Sequence, residues 1–147
     1  MKNFFIKVFS PKRKSSPKDI SFGEISKSTK VSEIFKAISN FNNESEIRFV
    51  GGCVRKILNN EKFDDIDLAT NINPEQLKEC LNNNNIDFYE IGIDHGTIIA
   101  KIGEKNFEIT SLRKDIITDG RHAVVEFTND WKEDAARRDF TINSIYA

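Results

Sequence analysis

Three acidic residues have the type and spacing that metal-assisted phosphoryl chemistry requires. Asp65 and Asp67 are separated by one residue in a segment, residues 63–68, that is predicted to form a β-strand. The two-residue period of a strand directs both carboxylates to the same face. Glu108 lies in a second predicted strand, residues 107–112, between two apolar neighbours, so its side chain is expected to point away from the core. If the two strands are neighbours in one sheet, the three carboxylates converge.

Converging carboxylates repel one another and raise one another's pKa, so a fold tolerates them best when a cation lies among them. Hard carboxylate oxygens suit Mg²⁺. The trio therefore predicts a two-metal site that clamps the attacking and leaving oxygens of a phosphoryl displacement. An Asp-x-Asp pair alone is also common at solvated surfaces and in turns, which leaves a structural explanation open at this point.

A glycine pair shortly before the acids has the character of a phosphate-binding turn. Gly51 and Gly52 end a predicted strand, residues 47–50, and open a predicted helix, residues 53–58. Backbone N–H groups at such a turn can approach an anion closely. Arg55 follows in the first helical turn and can place a guanidinium on the same anion. A tight turn without a ligand is the alternative, but glycines, arginine and acids together are the pattern expected of a nucleoside triphosphate held over metal ions.

A polar cluster at residues 137–143 is predicted to continue a helix to the end of the sequence. Arg138 either complements the helix dipole or contacts a triphosphate. Asp139 and Asn143, four residues apart, are expected on one helical face beside a ribose. The same helix would leave an apolar surface that requires a partner, formed by Ile142, Ile145 and Tyr146.

The elements that position these residues alternate between helices and strands. Asn73, Pro74 and Gln76 form a capping box that predicts a helix start, and Asp130 is predicted to cap a last helix through Arg138. Residues 116–122 are predicted to be an exposed loop. Further predictions are a helix at 31–41, strands at 87–91, 97–102 and 123–127, and a hairpin loop at 103–106. This order indicates an α/β (α+β) domain with a mixed sheet rather than a doubly wound parallel one.

Composition bounds the class of protein. The chain has 147 residues, of which 38% are hydrophobic and 31% charged, so it is predicted to be one globular domain and neither a membrane protein nor a disordered chain. Cys53 and Cys80 lie far apart and there are two histidines, which excludes a disulfide scaffold and a Cys/His zinc cluster and fits a reducing compartment. No role follows from the sequence for His95 or His122.

The charge is unevenly distributed. The first 20 residues hold six basic side chains against one acidic one, although the whole chain sums to −1. We expect a flexible basic leader at residues 1–25 and a folded domain at 26–147. The apolar run at residues 3–9 is too short to span a bilayer or to act as a secretory signal, so no membrane partner is expected. An organelle transit peptide stays open; the expected location is the bacterial cytoplasm.

Assembled in order, these residues resemble the head domain, the catalytic palm, of class II tRNA nucleotidyltransferases. These CCA-adding enzymes and the bacterial poly(A) polymerases belong to the DNA polymerase beta superfamily. The similarity runs from Phe49 to Ala147. The matching stretches are residues 49–55, 64–70, 95–97, 106–113, 118–122 and 137–143.

The resemblance implies a role for each matching position. Asp65 and Asp67 would bind the catalytic metals, and Glu108 would be the third carboxylate. Residues 118–122 would correspond to a mobile element implicated in the family's change of nucleotide preference. The ATP or CTP site, including the ribose element, would comprise Gly51, Gly52, Arg55, Arg138, Asp139 and Asn143. The implied reaction is Mg²⁺-dependent transfer from ATP or CTP to the 3′ end of tRNA, with the 3′-hydroxyl attacking the α-phosphate and pyrophosphate leaving.

Two departures from the family pattern shape the expectation. Lys56 stands where the family usually has Asp, and the helical neck, body and tail that follow the head in the family are absent from the sequence. We therefore expect the catalytic head of a split or truncated enzyme, completed by a separately encoded helical polypeptide. A non-catalytic remnant that only binds nucleotide and a poly(A) polymerase head are the alternatives. The choice between CCA addition and poly(A) tailing stays open, because the base-selecting region is missing.

Overall fold

In the computed structural model, the described residues are 22, 25, 29–59, 61–63, 65–91, 95–116, 124–138 and 144–147. Their helices are α1 (Ser32–Ser39), α2 (Gly52–Leu58), α3 (Pro74–Asn83) and α4 (Trp131–Arg137). Their strands are β1 (Ile47–Phe49), β2 (Asp67–Thr70), β3 (Asp87–Glu90), β4 (Thr97–Ile102), β5 (Lys105–Ser111), β6 (Arg113–Ile116) and β7 (Val124–Phe127).

A five-stranded mixed sheet organises these elements. Its strand order is β1-β2-β5-β4-β3, and β6 and β7 form a separate two-stranded sheet. Strands β2 and β5 run parallel, whereas the other neighbouring pairs of the large sheet are antiparallel. The predicted mixed sheet is confirmed. Its parallel pair brings together the two strands that carry the acidic residues.

The core lies between this sheet and the helices. On α1, Ile34, Ala37 and Ile38 are buried, as the helical spacing predicts. Phe107 and Ile109 of β5 are buried in the same apolar cluster while Glu108 between them is exposed, which is the alternation of a half-buried strand. Full burial of each such side chain contributes about 1.5–3 kcal/mol, so this packing fixes the register that places Glu108.

The start of α3 is determined locally. Asn73 accepts a hydrogen bond from the Gln76 backbone N–H at 2.9 Å, and the Gln76 side chain accepts one from the Asn73 N–H at 3.2 Å. Pro74 occupies the first turn, where its missing N–H costs nothing. The predicted capping box is confirmed.

The predicted bounds of the second strand are wrong. Strand β2 begins at Asp67 and ends at Thr70, rather than covering residues 63–68. Its register explains the difference, because β1 pairs with Leu68, Ala69 and Thr70, and this buried run rather than Asp65 lies in the sheet. Asp65 therefore precedes the strand.

The predicted last helix capped by Asp130 is confirmed, because the Asp130 side chain accepts from the Lys132 N–H at 2.7 Å where α4 begins. Its predicted continuation to the end of the sequence is wrong where the structure describes those residues. Helix α4 ends at Arg137, and Tyr146 forms a β-bridge with Val50. Phe49 and Ala147 exchange backbone hydrogen bonds of 2.7 and 2.9 Å. Edge strand β1 thus satisfies its free backbone groups with residues 145–147. The predicted apolar surface is covered at Tyr146 and Ile145, which pack against buried residues; Ile142 lies outside the described residues.

The structure also bears on the predicted loop at residues 116–122 and on the predicted leader at residues 1–25. Strand β6 reaches Ile116, where a loop was predicted to begin, and residues 117–123 lie outside the described part. Phe22 and Ile25 pack on the core, and the boundary after residue 25 stays a prediction. Among the described residues, no helix is both long and apolar enough to cross a bilayer.

Candidate active site

The parallel pairing of β2 and β5 sets Asp67 directly beside Glu108. Paired residues of adjacent strands point to the same face, and Ile99 of β4 continues this row on the other side of Glu108. Asp65, just before β2, faces the same space. The side chains line an open cleft of about 250 Å³ formed by Asp65, Ile66, Asp67, Ile99, Asn106 and Glu108. The three acids therefore line one cleft, although Asp65 precedes strand β2 instead of lying on its face as predicted.

The acids interact electrostatically as well as sharing a cleft. Partial burial, followed by the charge of Asp65, raises the pKa of Asp67, while the positive charge of Arg138 opposes this shift. Partial burial, followed by the charges of Asp67 and Asp65, raises the pKa of Glu108. The cleft therefore holds negative charge that Arg138 offsets only in part.

This donor set fits a divalent cation that arrives with a phosphate ligand. Among the described residues, no three His, Cys, Asp or Glu side chains are grouped closely enough to enclose a metal ion. Mg²⁺ does not need such a cage, since it is commonly held by one or two carboxylates together with substrate phosphates and water. Asp65 and Asp67, with oxygens on one cleft, meet that requirement.

The cleft continues past Asp65 into a larger one of about 460 Å³. The two share Asp65, Ile66 and Asn106, and the larger cleft is also lined by the exposed basic residue Lys105. The acids therefore lie along an open groove with a cation at one side, long enough to admit more than a bound ion.

The glycine pair opens α2 beside this groove. Gly51 has φ 71° and ψ −131°, a conformation that side-chain-bearing residues rarely adopt, and its N–H donates to the Ile145 carbonyl at 3.0 Å. Gly51 thus makes the turn and joins the C-terminal segment. A Cβ on Gly52 would meet no atom within 4 Å, so the space in front of Gly52 is open. Arg55 lies half-buried in the first turn of α2.

A cysteine ties this turn to the acidic strand. The Cys53 thiol lies 3.2 Å from the Val50 carbonyl and 3.6 Å from the Asp67 carbonyl, and both are oriented to accept from it. Burial raises the pKa of Cys53, so the thiol stays protonated and can donate. The start of α2 is thereby held against the residue that carries the central carboxylate.

Arg138 lies at the end of α4. Its Nε donates to Asp134 at 2.9 Å and to the Tyr146 hydroxyl at 3.1 Å. Asp134 is fully buried and also binds Arg137, with an Nη2 to Oδ1 distance of 2.8 Å. These contacts form a compact charged cluster, and Arg138 is close enough to Asp67 for its charge to oppose the rise in the pKa of that carboxyl.

Sequence reasoning missed Asp134 and Tyr146. Asp134 precedes Arg137 by three residues and Arg138 by four, which is the spacing of ion pairs on one helix face, so part of the signal was readable. Tyr146 gave no local signal, because only the pairing of the C-terminal segment with β1 brings it to Asp134.

The other residues that the sequence singled out either have a structural role or lie outside the residues that the structure describes. The His95 carbonyl accepts from Arg113 Nη1 at 2.6 Å, and Gly96 has φ 74° with the Phe127 ring where a side chain would be. These contacts account for the conformation there without catalysis. The predicted ribose contacts Asp139 and Asn143, and residues 118–122 with His122, lie outside the described residues.

A mixed sheet with an acidic pair at the start of one strand, a third acid on its parallel neighbour and a glycine turn beside them defines a nucleotidyltransferase-type fold. Residues 47–147 match the family described as the Poly A polymerase head domain. The chain belongs to this family.

Relatives support the same assignment. The human CCA tRNA nucleotidyltransferase 1, mitochondrial, is 54% identical over 102 residues, which are 69% of this chain and 24% of that protein. The crystal structure of the Bacillus stearothermophilus CCA-adding enzyme in complex with CTP superposes with a TM-score of 0.62 at 30% identity, covering 79% of this chain and 27% of that one. A tRNA nucleotidyltransferase complexed with a primer tRNA and an incoming ATP analog gives a TM-score of 0.51 at 27% identity, covering 84% and 30%. The chain thus spans about a quarter of the length of the curated relatives it matches.

Proposed function

We propose that this chain is the nucleotide-binding and catalytic head of a tRNA nucleotidyltransferase, which transfers nucleotides from CTP and ATP to the 3′ end of tRNA. The observation that carries the proposal is the parallel pairing that sets Asp67 beside Glu108 in a cleft also lined by Asp65, in a chain of the poly(A) polymerase head family. The relatives named for CCA addition, and the one complexed with primer tRNA and an ATP analog, support this substrate class.

The chain's own residues divide the work of binding. Asp65 and Asp67 would hold Mg²⁺, which when bound supplies charge neutralisation and polarises the reacting phosphate. Gly52 borders open space in which a phosphate oxygen can approach the backbone, and Arg55 and Arg138 would bind the triphosphate. The three acids would gain the positive charge that they lack from the Mg²⁺ that accompanies the nucleotide phosphates.

The reaction requires one further alignment. The 3′-hydroxyl of the RNA must lie opposite the departing pyrophosphate, so the RNA end has to approach along the groove beside the acids. The cleft that continues from Asp65 toward Lys105 is open on that side and carries a cation suited to an RNA phosphate. Glu108 faces the same space and would add a third acceptor there.

The direct test is extension of a tRNA that lacks its 3′ end, with labelled CTP or ATP and Mg²⁺. We expect extension by the 147-residue chain and a loss of roughly 100- to 1,000-fold or more in Asp65→Asn/Asp67→Asn, because the variant cannot stabilise charge at the reacting phosphate. Asp87→Asn, on the far edge strand, is the matched control and should keep full activity. Equal extension by wild type and the double variant would refute the site. Extension by neither, with nucleotide still bound, would favour the binding-module alternative.

Base choice is a separate question. We expect the chain to bind CTP and ATP with similar affinity, because the residues that select the base in the family belong to the neck. Calorimetric titration of each nucleotide, with and without Mg²⁺, measures this. A strong preference for one base would contradict the expectation and would place base selection within residues 1–147.

A further inference from the structure

Asp134 is a fully buried carboxylate to which the proposed reaction gives no part. Its two oxygens accept from four groups: the Arg113 backbone N–H, Arg137, Arg138 and the Tyr146 hydroxyl. A carboxylate has about four lone-pair positions, so these contacts satisfy it. A buried charge of this kind is costly to place unless it is paired, and here the pairing selects one arrangement of the partners.

The partners of Asp134 connect to strand β2 at both of its ends. Tyr146 bridges to Val50, whose N–H donates to the Asp67 carbonyl at 3.0 Å. On the other side, Arg113 directly follows Leu112, whose N–H donates to the Thr70 carbonyl of β2 at 2.9 Å. The cluster around Asp134 is therefore fixed to the backbone that carries the cleft, at two independent points.

The hydrogen bonds from Arg138 to Asp134 and Tyr146 use one atom of its guanidinium, which also lies over the Tyr146 ring. Asp134 and Tyr146 both bind Nε, at 2.9 and 3.1 Å, so neither engages the four N–H groups on the two terminal nitrogens. An unrestrained arginine loses rotamer freedom when it binds an anion. Fixing Nε removes part of that cost before a nucleotide arrives.

We propose that Asp134 is a positioning residue that holds Arg138 by its Nε, with Tyr146 as the second point of attachment, so that the remaining guanidinium nitrogens are presented to the triphosphate. The inference rests on the proposed function for its ligand. Arg137 shares the other oxygen of Asp134 and balances the buried charge rather than contacting nucleotide.

The test compares CTP and ATP affinity, by calorimetry with Mg²⁺, in wild type, Asp134→Asn, Arg138→Ala and the double variant. We expect Asp134→Asn to weaken binding roughly tenfold, the effect of losing a charge-assisted hydrogen bond. In the Arg138→Ala background the same change should have no further effect on affinity. Glu133→Gln makes the same chemical change on the neighbouring exposed position of α4 and should bind like wild type.

A folded Asp134→Asn variant with wild-type affinity overturns the inference, as does an effect that adds in full to that of Arg138→Ala. If Asp134→Asn does not fold, Tyr146→Phe takes its place. That variant keeps the ring packed on Trp131 and removes only the hydroxyl shared by Asp134 and Arg138. It should weaken nucleotide binding severalfold without unfolding, and unchanged affinity would contradict the inference.

A second measurement needs no nucleotide. The Nε–H of Arg138, assigned by its absence in Arg138→Lys, should give a solvent-protected ¹⁵N NMR signal that loses protection in Asp134→Asn. If wild type binds no nucleotide, the proposed function fails, and a protected signal would still show that Asp134 fixes Arg138. If nucleotide binds but the signal is unprotected in wild type, the positioning role fails alone.

Discussion

Two charged groups of side chains behave in opposite ways in this molecule: the three acids of the cleft, and the single buried carboxylate of Asp134 with its donors. In the cleft, burial and then Asp65 raise the pKa of Asp67. At the end of α4, burial would also raise the pKa of Asp134, but the Tyr146 hydrogen bond, Arg138, the Arg113 backbone N–H and Arg137 together lower it. An aspartate side chain thus has little positive charge near it in the cleft, whereas at the end of α4 an aspartate is surrounded by hydrogen-bond donors. Carboxylates whose charge is not balanced can bind a cationic ligand, whereas a buried carboxylate whose charge is balanced stabilises the fold.

Arg138 belongs to both groups. Its Nε donates a hydrogen bond to Asp134, and its positive charge opposes the rise in the pKa of Asp67. Tyr146 adds a donor that stays protonated, since burial and the hydrogen bond to Asp134 raise its pKa to about 12. The contrast between the two groups can be tested with substitutions that are chemically alike on each side.

The largest expected difference is in stability. Asp134→Ala should lower the free energy of unfolding by about 3–5 kcal/mol, because it leaves two arginines partly buried without their partner. Asp67→Ala should change it by no more than about 0.5–1 kcal/mol, since it also removes like-charge repulsion. Urea unfolding measures both, with Glu133→Ala as the exposed control. Equal losses of unfolding free energy at the two positions would contradict the view that Asp134 stabilises the fold and Asp67 belongs to a ligand site.

Mg²⁺ should change the stability of the fold through the acids of the cleft and not through the group around Asp134. At a concentration ten times its dissociation constant, Mg²⁺ should stabilise the wild-type fold by about 1.4 kcal/mol. The gain should vanish in Asp65→Asn/Asp67→Asn and persist in Tyr146→Phe. Thermal unfolding with and without Mg²⁺ gives the comparison, and a Mg²⁺ effect that survives the double substitution would locate the ion elsewhere.

A substitution at Gly52 tests whether a phosphate approaches the backbone at the start of α2. Gly52→Ala should leave stability within about 0.5 kcal/mol, because the added methyl group meets no atom within 4 Å. It should nevertheless weaken nucleotide binding severalfold if a phosphate approaches this backbone. Calorimetry measures the affinity and urea unfolding the stability; unchanged affinity would leave Gly52 a turn residue only.

The smallest expected effect is the pH dependence, measured with EDTA present. A raised pKa in the folded state means that Asp67 destabilises as the pH rises from near its ordinary value of 3.8 through the raised one. A lowered pKa means that Asp134 stabilises above 3.8 and that this contribution is lost as the pH falls through its folded pKa. Asp67→Asn should therefore gain stability relative to wild type between pH 4 and pH 7, by less than about 1 kcal/mol. Asp134→Asn should lose stability over the same interval, and a common sign for both would contradict the contrast.

Much of the fold followed from local patterns. The Asn73 capping box, the α1 spacing and the alternation around Glu108 predicted elements that the structure contains. Predictions failed where partners distant in sequence decided the outcome. Strand β2 is displaced toward Thr70 because β1 sets its register, and the C-terminal segment is extended because β1 had a free edge.

The residue types alone set the available chemistry: they show which acids, glycines and arginines exist. The two-residue period of a strand and the four-residue spacing of a helix then predict which of them share a face. Those periods are properties of the backbone and need no partner. Only the tertiary structure decided that Asp67 lies beside Glu108 and that Tyr146 reaches Asp134. These pairs are 41 and 12 positions apart in the numbering, and long-range strand pairing together with burial of the apolar core selects them.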